Sequence, residues 1–137
     1  MRRPRPASAT CLGCGSFGGK RRLIVASTEQ IRATIEAHLA AVGAADATAL
    51  ADLYTPDARL HDPAGGSPVT GRTAIEQHFA GVLTEQRTMD LVMVAIADHH
   101  AAFHFRATPA DGPTREVIDT MTFDDQAMIT SMQAYAS

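Results

Sequence analysis

Cysteine is almost absent from this chain, and both cysteines lie within the first fourteen residues. Cys11 and Cys14 form the one C-x-x-C pair. A zinc site needs about four ligands and a thioredoxin-type motif needs a β-α-β context, and the surrounding sequence offers neither. We therefore interpret the two thiols as incidental. From Ser27 onward there is no cysteine, so the domain needs no disulfide to fold.

Long apolar runs and several familiar site patterns are also missing. No stretch approaches the roughly 18 consecutive apolar residues that a membrane span requires. There is no internal repeat, no glycine loop that leads into a phosphate-binding helix, and no serine or cysteine in a nucleophile elbow. The six histidines are not spaced as metal ligands. We therefore expect no metal, no cofactor and no membrane as a partner.

Acidic residues are absent before Glu29, whereas six basic residues lie there: Arg2, Arg3, Arg5, Lys20, Arg21 and Arg22. The remainder carries six arginines against all fifteen carboxylates, a formal net charge of about −9. Such an acidic domain is a poor partner for nucleic acid, because that affinity depends mainly on neutralising phosphates.

Residues 1–26 are rich in Arg, Pro, Gly and Ser and have no apolar periodicity, which is typical of a disordered leader. Three interpretations are open: an organelle transit peptide, a basic tail for an anionic partner, or upstream sequence read as protein. A transit peptide would show an amphipathic helix, and none is evident. We favour upstream sequence, with a natural start near Val25, because eleven arginines against one lysine and many alanines are typical of GC-rich bacterial genes. The domain is then expected to span residues 27–137.

Apolar residues recur at helical spacing in three segments. The first helix is capped by Ser27 or Thr28 and ended by Gly43. Its inner face carries Ile31, Ile35, His38, Leu39 and Val42. The second helix is expected to run from a cap at Asp46 to Pro56, with Leu50, Leu53 and Tyr54 facing inward. A short alternating run over 58–62 and a Pro- and Gly-rich loop over 63–71 precede the third helix. That helix should bury Ile75, Phe79, Val82 and Leu83.

After Thr88 the apolar period changes from that of a helix to that of a strand. The runs 88–97, 101–108, 115–123 and 128–135 are rich in Val, Ile, Met, Thr and Phe. The breaks between them have the length of hairpin turns. Three helices followed by an antiparallel meander predict an α+β domain with the helices on one side of a curved, mainly antiparallel sheet around an apolar pocket.

Three polar residues, Asp119, Asp62 and His38, fall where the surrounding pattern is apolar. Alternation puts Asp119 on one face with Val117, Met121 and Phe123, where desolvation should raise the carboxyl pKa and keep it a hydrogen-bond donor. If the register is reversed, Asp119 instead faces water.

Asp62 shares a face with Leu60 at the edge of the loop, where a carboxylate can act as a general base or simply form an Asx turn before Pro63. His38 lies on the apolar face of the first helix, as a functional group or as a hydrogen-bonded core residue. His104 alternates against Phe103 and Phe105 and should face away from the pocket.

Several segments carry a resemblance to a known family. They are DLYTPDARLHDPAGGSPVTGRTAIEQHF, the upstream AHLAAVGAAD, and the terminal VIDTMTFDDQAMITSMQAY. Over about residues 28–136 the chain resembles the ketosteroid isomerase branch of the NTF2-like, SnoaL-like superfamily. The combination of a D-P-x-G loop with an I-D-x-x-x-F strand is fairly specific. The resemblance implies a cone-shaped α+β fold with a deep apolar cavity, a homodimer, and, we expect, a cytoplasmic location.

The resemblance also implies roles for particular residues. The general base of the family falls on Asp62, and its protonated oxyanion-hole acid falls on Asp119, an arrangement well known in that enzyme. The oxyanion-hole tyrosine of the family aligns with His38, and a supporting tyrosine aligns with Phe79. A charged His38 beside Asp119 would favour ionising that acid. The candidate substrate-binding wall is Tyr54, Phe79, Phe103, Phe105, Met121 and Met132.

We therefore expect a cofactor-free isomerase of 3-oxo-Δ5-steroids or similar apolar ketones. Asp62 would move a proton, and Asp119 and His38 would stabilise the dienolate oxygen. Two alternatives stay open. One is a polyketide cyclase or epoxide hydrolase on the same fold. The other is a non-catalytic module that binds an apolar ligand or dimerises, since fold does not fix function.

Overall fold

The structure, a computed structural model, describes residues 25–136. The Cys11–Cys14 pair and residues 1–24 of the expected leader lie outside the described residues. Ala26, which the sequence pattern assigned to the leader, is buried in the core. The described chain forms, in order, α1 (Thr28–Gly43), α2 (Ala47–Ala51), β1 (Tyr54–His61), β2 (Val69–Thr70), α3 (Arg72–Val82), β3 (Arg87–Ala97), β4 (His100–Pro109), β5 (Arg115–Phe123) and β6 (Ile129–Ala136).

The first helix is capped by Ser27, one of the two predicted caps, and the cap is a capping box. The Ser27 hydroxyl accepts a hydrogen bond from the Gln30 backbone N–H, and the Gln30 side chain accepts one from the Ser27 N–H. The helix buries Ile31, Ile35, His38 and Leu39 on one face. No helix in the part of the chain that the structure describes is long and apolar enough to cross a membrane.

The six strands form one sheet in the order β2-β1-β6-β5-β4-β3. β1 and β6 run parallel, and all other neighbours are antiparallel. α1 packs on β3 and α3 packs on β1, so the helices cover the inner face of the sheet. The predicted α+β class, the meander over the last four strands and their inward-facing residues are confirmed.

The predicted second helix is wrong in its extent. α2 ends at Ala51, and Tyr54 opens β1 instead of lying on the inner face of a helix. The chain becomes extended here because β6 pairs with it: the Ile129 N–H donates to the Leu53 carbonyl at 2.9 Å. Pro56 lies inside β1, in the stretch between Tyr54 and Arg59 where the register with β6 shifts. A residue without an N–H is tolerated at such an irregularity.

Two smaller expectations also need correction. The loop over 63–71 contains β2, whose Val69 and Thr70 pair with Leu60 and Arg59. Val82 was expected to face inward, but it is 48% exposed because α3 ends there. Its side chain still lines a cavity between the helices and the sheet.

Candidate active site

A cavity of about 320 Å³ lies between the inner face of the sheet and the helices α1 and α3. Most of its lining is apolar. The titratable side chains that line it are His38, Asp62, Arg87, Arg115 and Asp119. A larger, more open depression of about 500 Å³ lies near the turns at the other end of the sheet, but its lining holds one titratable group, His100. The smaller cavity is therefore the candidate active site, since apolar walls with a few converging polar groups are typical of one.

Asp119 reaches the cavity from the middle of β5. The residue is buried, with 2% of its surface exposed. Phe103 and Ala134 lie beside it on the neighbouring strands. Among residues 25–136 its carboxyl has no hydrogen-bond partner, and it lines the cavity. Burial, and secondarily the negative charge of Asp62, raises the pKa of Asp119 to about 8. The group is therefore mostly protonated at neutral pH and can donate a hydrogen bond.

Asp62 lies at the other side of the same cavity, directly after β1. Its side chain is 31% exposed and therefore in contact with water. Its Oδ2 lies 3.0 Å from Nε2 of His78, which is on α3. A carboxylate that accepts this hydrogen bond keeps its second oxygen free. The structure thus brings the two predicted carboxyls to one cavity. Asp119 is buried, and Asp62 is partly exposed to solvent.

His38 is buried in a box of aromatic rings. The ring centroids of Tyr54, Phe79 and Phe103 lie 6.1, 6.5 and 6.4 Å from that of the imidazole. Its Nε2 lies 3.2 Å from the Tyr54 hydroxyl, and its Nδ1 is buried without a partner in the described chain. Burial lowers the pKa of His38 to about 3. His38 is therefore neutral near pH 7, so the positive charge that would favour ionising Asp119 is not present.

Tyr54 is held from both ends. Its hydroxyl contacts His38, and its backbone carbonyl accepts two hydrogen bonds from the Arg72 guanidinium, at 3.0 Å from Nε and 2.6 Å from the terminal nitrogen. Burial, together with the charges of Asp119 and Asp62, raises the pKa of the Tyr54 hydroxyl well above its usual value. The phenol is therefore protonated and can donate to His38, which would leave the imidazole proton on Nδ1.

Three of the six residues predicted to form the apolar wall lie at the cavity. Phe79, Phe105 and Met132 line the cavity. Tyr54, Phe103 and Met121 are buried in the core but do not line it. The reason is packing: Tyr54 and Phe103 are turned against the His38 ring, and Phe103 also stacks on Phe105 with centroids 5.8 Å apart.

Sequence reasoning missed three residues of the site, His78, Arg87 and Arg115. His78 lies three residues after the buried Ile75, at the flank of the apolar stripe of α3, and that spacing was a usable signal. The alternation of β5 likewise places Arg115 on the same face as Val117 and Asp119. His104 faces away from the cavity, as predicted, and bonds to Glu116 on the outer face. In residues 25–136 no cluster of three His, Cys, Asp or Glu side chains could hold a metal ion.

Known proteins are similar to this chain in sequence and in fold. Residues 35–132 match the SnoaL-like domain family. A steroid Delta-isomerase from Nocardioides simplex is 39% identical over 109 residues, which cover 77% of this chain and 89% of that protein. A solved epoxide hydrolase/cyclase-like enzyme, SalBIII, studied for its role in pyran ring formation in the polyether salinomycin, superposes with a TM-score of 0.69 at 19% identity. That superposition covers 80% of this chain and 92% of SalBIII, and at this identity it supports the fold alone.

The family match and the fold agree with the geometry of the cavity. The matched segment begins at Ile35, in the middle of α1, and ends at Met132 in β6, so it includes both carboxyls and His38. The chain belongs to the SnoaL-like family with the NTF2-like fold, in its ketosteroid isomerase branch.

Proposed function

We propose that this protein is an isomerase that moves a C=C double bond of a 3-oxo-Δ5-steroid or a similar apolar ketone into conjugation with the carbonyl. One observation carries the proposal. A single apolar cavity is lined by Asp119, a buried acid with a raised pKa, and by Asp62, a carboxyl that is partly exposed to solvent. Pairs of titratable groups whose environments differ in this way are typical of acid and base roles. The relative named as a steroid Delta-isomerase supports the same reaction type.

In the proposed reaction Asp62 removes a proton from the carbon between the carbonyl and the double bond. The electrons move into a dienolate, and the same carboxyl returns the proton two carbons further along. Asp119 donates a hydrogen bond to the oxygen that gains charge, and it can do so because it is protonated. The product is an isomer of the substrate with the double bond moved, so the reaction needs no oxidant or reductant.

His38 and its neighbours complete the proposed oxyanion site. With the Tyr54 hydroxyl donating to Nε2, the Nδ1 of His38 carries a proton that no group in residues 25–136 accepts. A buried unpartnered donor beside a ligand cavity is suited to a substrate oxygen. His78 would act through Asp62, because its hydrogen bond fixes one carboxyl oxygen and leaves the other for the proton.

The test is an ultraviolet assay with 5-androstene-3,17-dione, whose product absorbs as a conjugated enone. We expect an enzyme-dependent rise in absorbance. A substrate deuterated at the carbon between carbonyl and double bond should give product that keeps part of the label at the protonated carbon, since one base carries it. Absence of any rise, with steroid binding retained, would instead identify a binding module.

The cyclase and hydrolase alternative receives no specific support from the site. Hydrolysis of an epoxide would call for a water molecule held between carboxyls by a basic group. In the described chain neither Arg87 nor Arg115 forms an ion pair or hydrogen bond with Asp62 or Asp119. The isomerase therefore remains the proposed function.

We also propose that the protein forms a homodimer. Strands β3, β5 and β6 expose Met93, Ile118 and Tyr135, with exposed fractions of 65%, 47% and 47%. Exposed apolar residues of this size favour burial between copies of the chain. Light scattering after gel filtration should give twice the monomer mass, and Ile118→Glu should shift it to the monomer.

A further inference from the structure

The cavity has a second polar end that the proposed isomerisation does not use. Arg115 and Asp119 lie on the same inner face of β5, four residues apart, and both line the cavity. At a rise of about 3.3 Å per residue their Cα atoms are roughly 13 Å apart along the strand. Arg87 at the start of β3 lines the same cavity at that end, two residues from Met89. The strand between them contributes the small residue Ala107, which pairs with both Arg115 and Met89.

Within residues 25–136, neither of these guanidinium groups forms an ion pair with a carboxylate. Arg87 makes one hydrogen bond, from a terminal nitrogen to the Glu85 carbonyl at 3.3 Å, and its Nε is buried without a partner in the described chain. Within residues 25–136 Arg115 has neither an ion pair nor a side-chain hydrogen bond. Glu85 and Asp111 lie by the same rim, but neither carboxylate forms an ion pair with either arginine.

Two other arginines of the described chain are bound by the protein itself, whereas Arg32 and Arg59 are exposed and, within residues 25–136, form no ion pair. Arg106 pairs with Glu116 and Asp90 on the outer face, and Arg72 clamps the Tyr54 carbonyl. A buried guanidinium N–H without an acceptor costs free energy, and such exceptions call for an explanation. Arg87 and Arg115 thus place two positive charges, without an ion-pair partner in residues 25–136, at one end of a mostly apolar cavity.

We propose that the substrate is an apolar ketone that carries a carboxylate at the end remote from the reacting carbonyl, and that Arg87 and Arg115 bind this carboxylate. This inference rests on the proposed function for the placement of the carbonyl near Asp119. Guanidinium groups match the planar, two-oxygen geometry of a carboxylate better than an ammonium would. The apolar walls between the two ends, including Phe105 and Val117, would contact the hydrocarbon body.

The test uses two probes that cannot isomerise, 5α-androstan-3-one and 5α-androstan-3-one-17β-carboxylate, with binding measured by calorimetry. We expect the full chain to bind the carboxylate at least tenfold more tightly than the neutral ketone at low salt. The preference should shrink as salt rises, because one arginine is exposed. Arg87→Gln and Arg115→Gln should each reduce the preference several-fold, and the double variant should abolish it while neutral-ketone binding stays within twofold.

Arg32→Gln is the matched control, since it removes one positive charge from an exposed position on α1 away from the cavity lining. It should leave the preference intact, and circular dichroism should show that each variant is folded. Equal binding of the two probes by the unmodified chain would overturn the inference. The inference would also be overturned if the double variant still bound the carboxylate probe more tightly than the neutral ketone. It would be overturned as well if Arg32→Gln lowered this preference as much as the cavity variants do. The isomerase assay is a separate measurement, so a chain that prefers the carboxylate but forms no enone would contradict the proposed function and not this site.

Discussion

The two faces of strand β5 place their carboxyl groups in opposite environments. On the outer face Glu116 accepts hydrogen bonds from Arg106 and His104, which lower its pKa. On the inner face, three residues further along, Asp119 has no partner within residues 25–136, and burial raises its pKa to about 8. Both groups are carboxyls on one strand, so the surroundings alone make one a permanent anion and the other a proton donor at neutral pH.

The histidines show the same contrast. His99, at a turn, bonds to Asp125 and Asp98, and these contacts raise its pKa. His38, inside, has a pKa of about 3 and an unpartnered Nδ1. The outer His99 is hydrogen-bonded through both ring nitrogens, whereas His38 has a partner for Nε2 and, within residues 25–136, none for Nδ1. Such local conflicts are expected where a site must bind something else.

The largest effect should follow from removing the proposed base. Asp62→Asn should lower kcat by about 10²–10⁴-fold, because an amide cannot accept the substrate proton. Binding of 5α-androstan-3-one and the circular dichroism spectrum should be largely unchanged. Asp57→Asn, which alters an exposed carboxyl on the same strand, is the control and should have no effect. Equal turnover by the Asp62 variant would remove this carboxyl from the mechanism.

The next largest effect concerns the buried acid. Asp119→Leu should lower kcat by about 10²–10³-fold, since it removes an oxyanion donor. In the unmodified chain kcat/KM should fall above about pH 8, as the Asp119 pKa of about 8 is crossed and the donor is lost. Asp119→Asn keeps a donor and should lack this alkaline decline, whereas Glu116→Gln should retain it. A decline that persists in Asp119→Asn would belong to another group.

Stability should report the same pKa shift with a defined sign. Asp119 holds its proton more tightly in the folded chain, where its pKa is about 8, than an aspartate in water does with its ordinary pKa of 3.8. Its contribution to the free energy of unfolding is therefore present at low pH and is lost as pH rises from about 4 to about 8. Urea unfolding at about pH 5 and about pH 8.5 should show Asp119→Asn gaining on the unmodified chain at the higher pH. Glu116 acts in the reverse direction, since its lowered pKa favours the fold at higher pH.

Much of the inner face could be predicted from the sequence because strand alternation is a property of the backbone. The period of two placed Asp119 on one face with Val117, Met121 and Phe123, although it left open whether that face is the inner one, and the helical period placed His38 on the apolar face of α1. The boundary after α2 could not be predicted this way. Leu50, Leu53 and Tyr54 fit a helical face, and the chain turns into a strand there only because β6, about 75 residues later, pairs with it.

The contacts of the site depended on tertiary packing. His78 meets Asp62 because α3 docks on β1, and the two residues are 16 positions apart with no shared periodicity. Similarly, an inward apolar residue such as Phe103 can fill the core or line a cavity, and its position in the strand does not decide which. The proposed roles of Arg87 and Arg115 also depend on the shape of the cavity and on the lack of an ion pair between them and the nearby carboxylates.

A smaller effect is expected for the buried histidine. His38→Phe should lower kcat by about 10²-fold with little change in binding of 5α-androstan-3-one, since the bond from Nδ1 strengthens as the oxygen gains charge. His38→Gln keeps an amide donor and should recover part of the loss. Because the pKa of His38 is about 3, it should add no inflection to the activity profile near neutral pH. Full turnover by His38→Phe would leave it as a core residue only.

The smallest effect should come from His78, which compares directly with His99 because each bonds to an aspartate. His78→Leu removes the hydrogen bond to Asp62 and should lower kcat about tenfold, the size of one ordinary hydrogen bond, with KM nearly constant. His99→Leu removes the bond to Asp125 at the surface and should leave kcat unchanged. His78→Gln restores an N–H donor and should recover most of the rate. If His78→Leu lowers the melting temperature but not kcat, or if Gln fails to rescue a folded enzyme, His78 does not position the base. If both leucine variants lower kcat equally, the inner and outer pairs do not differ in function.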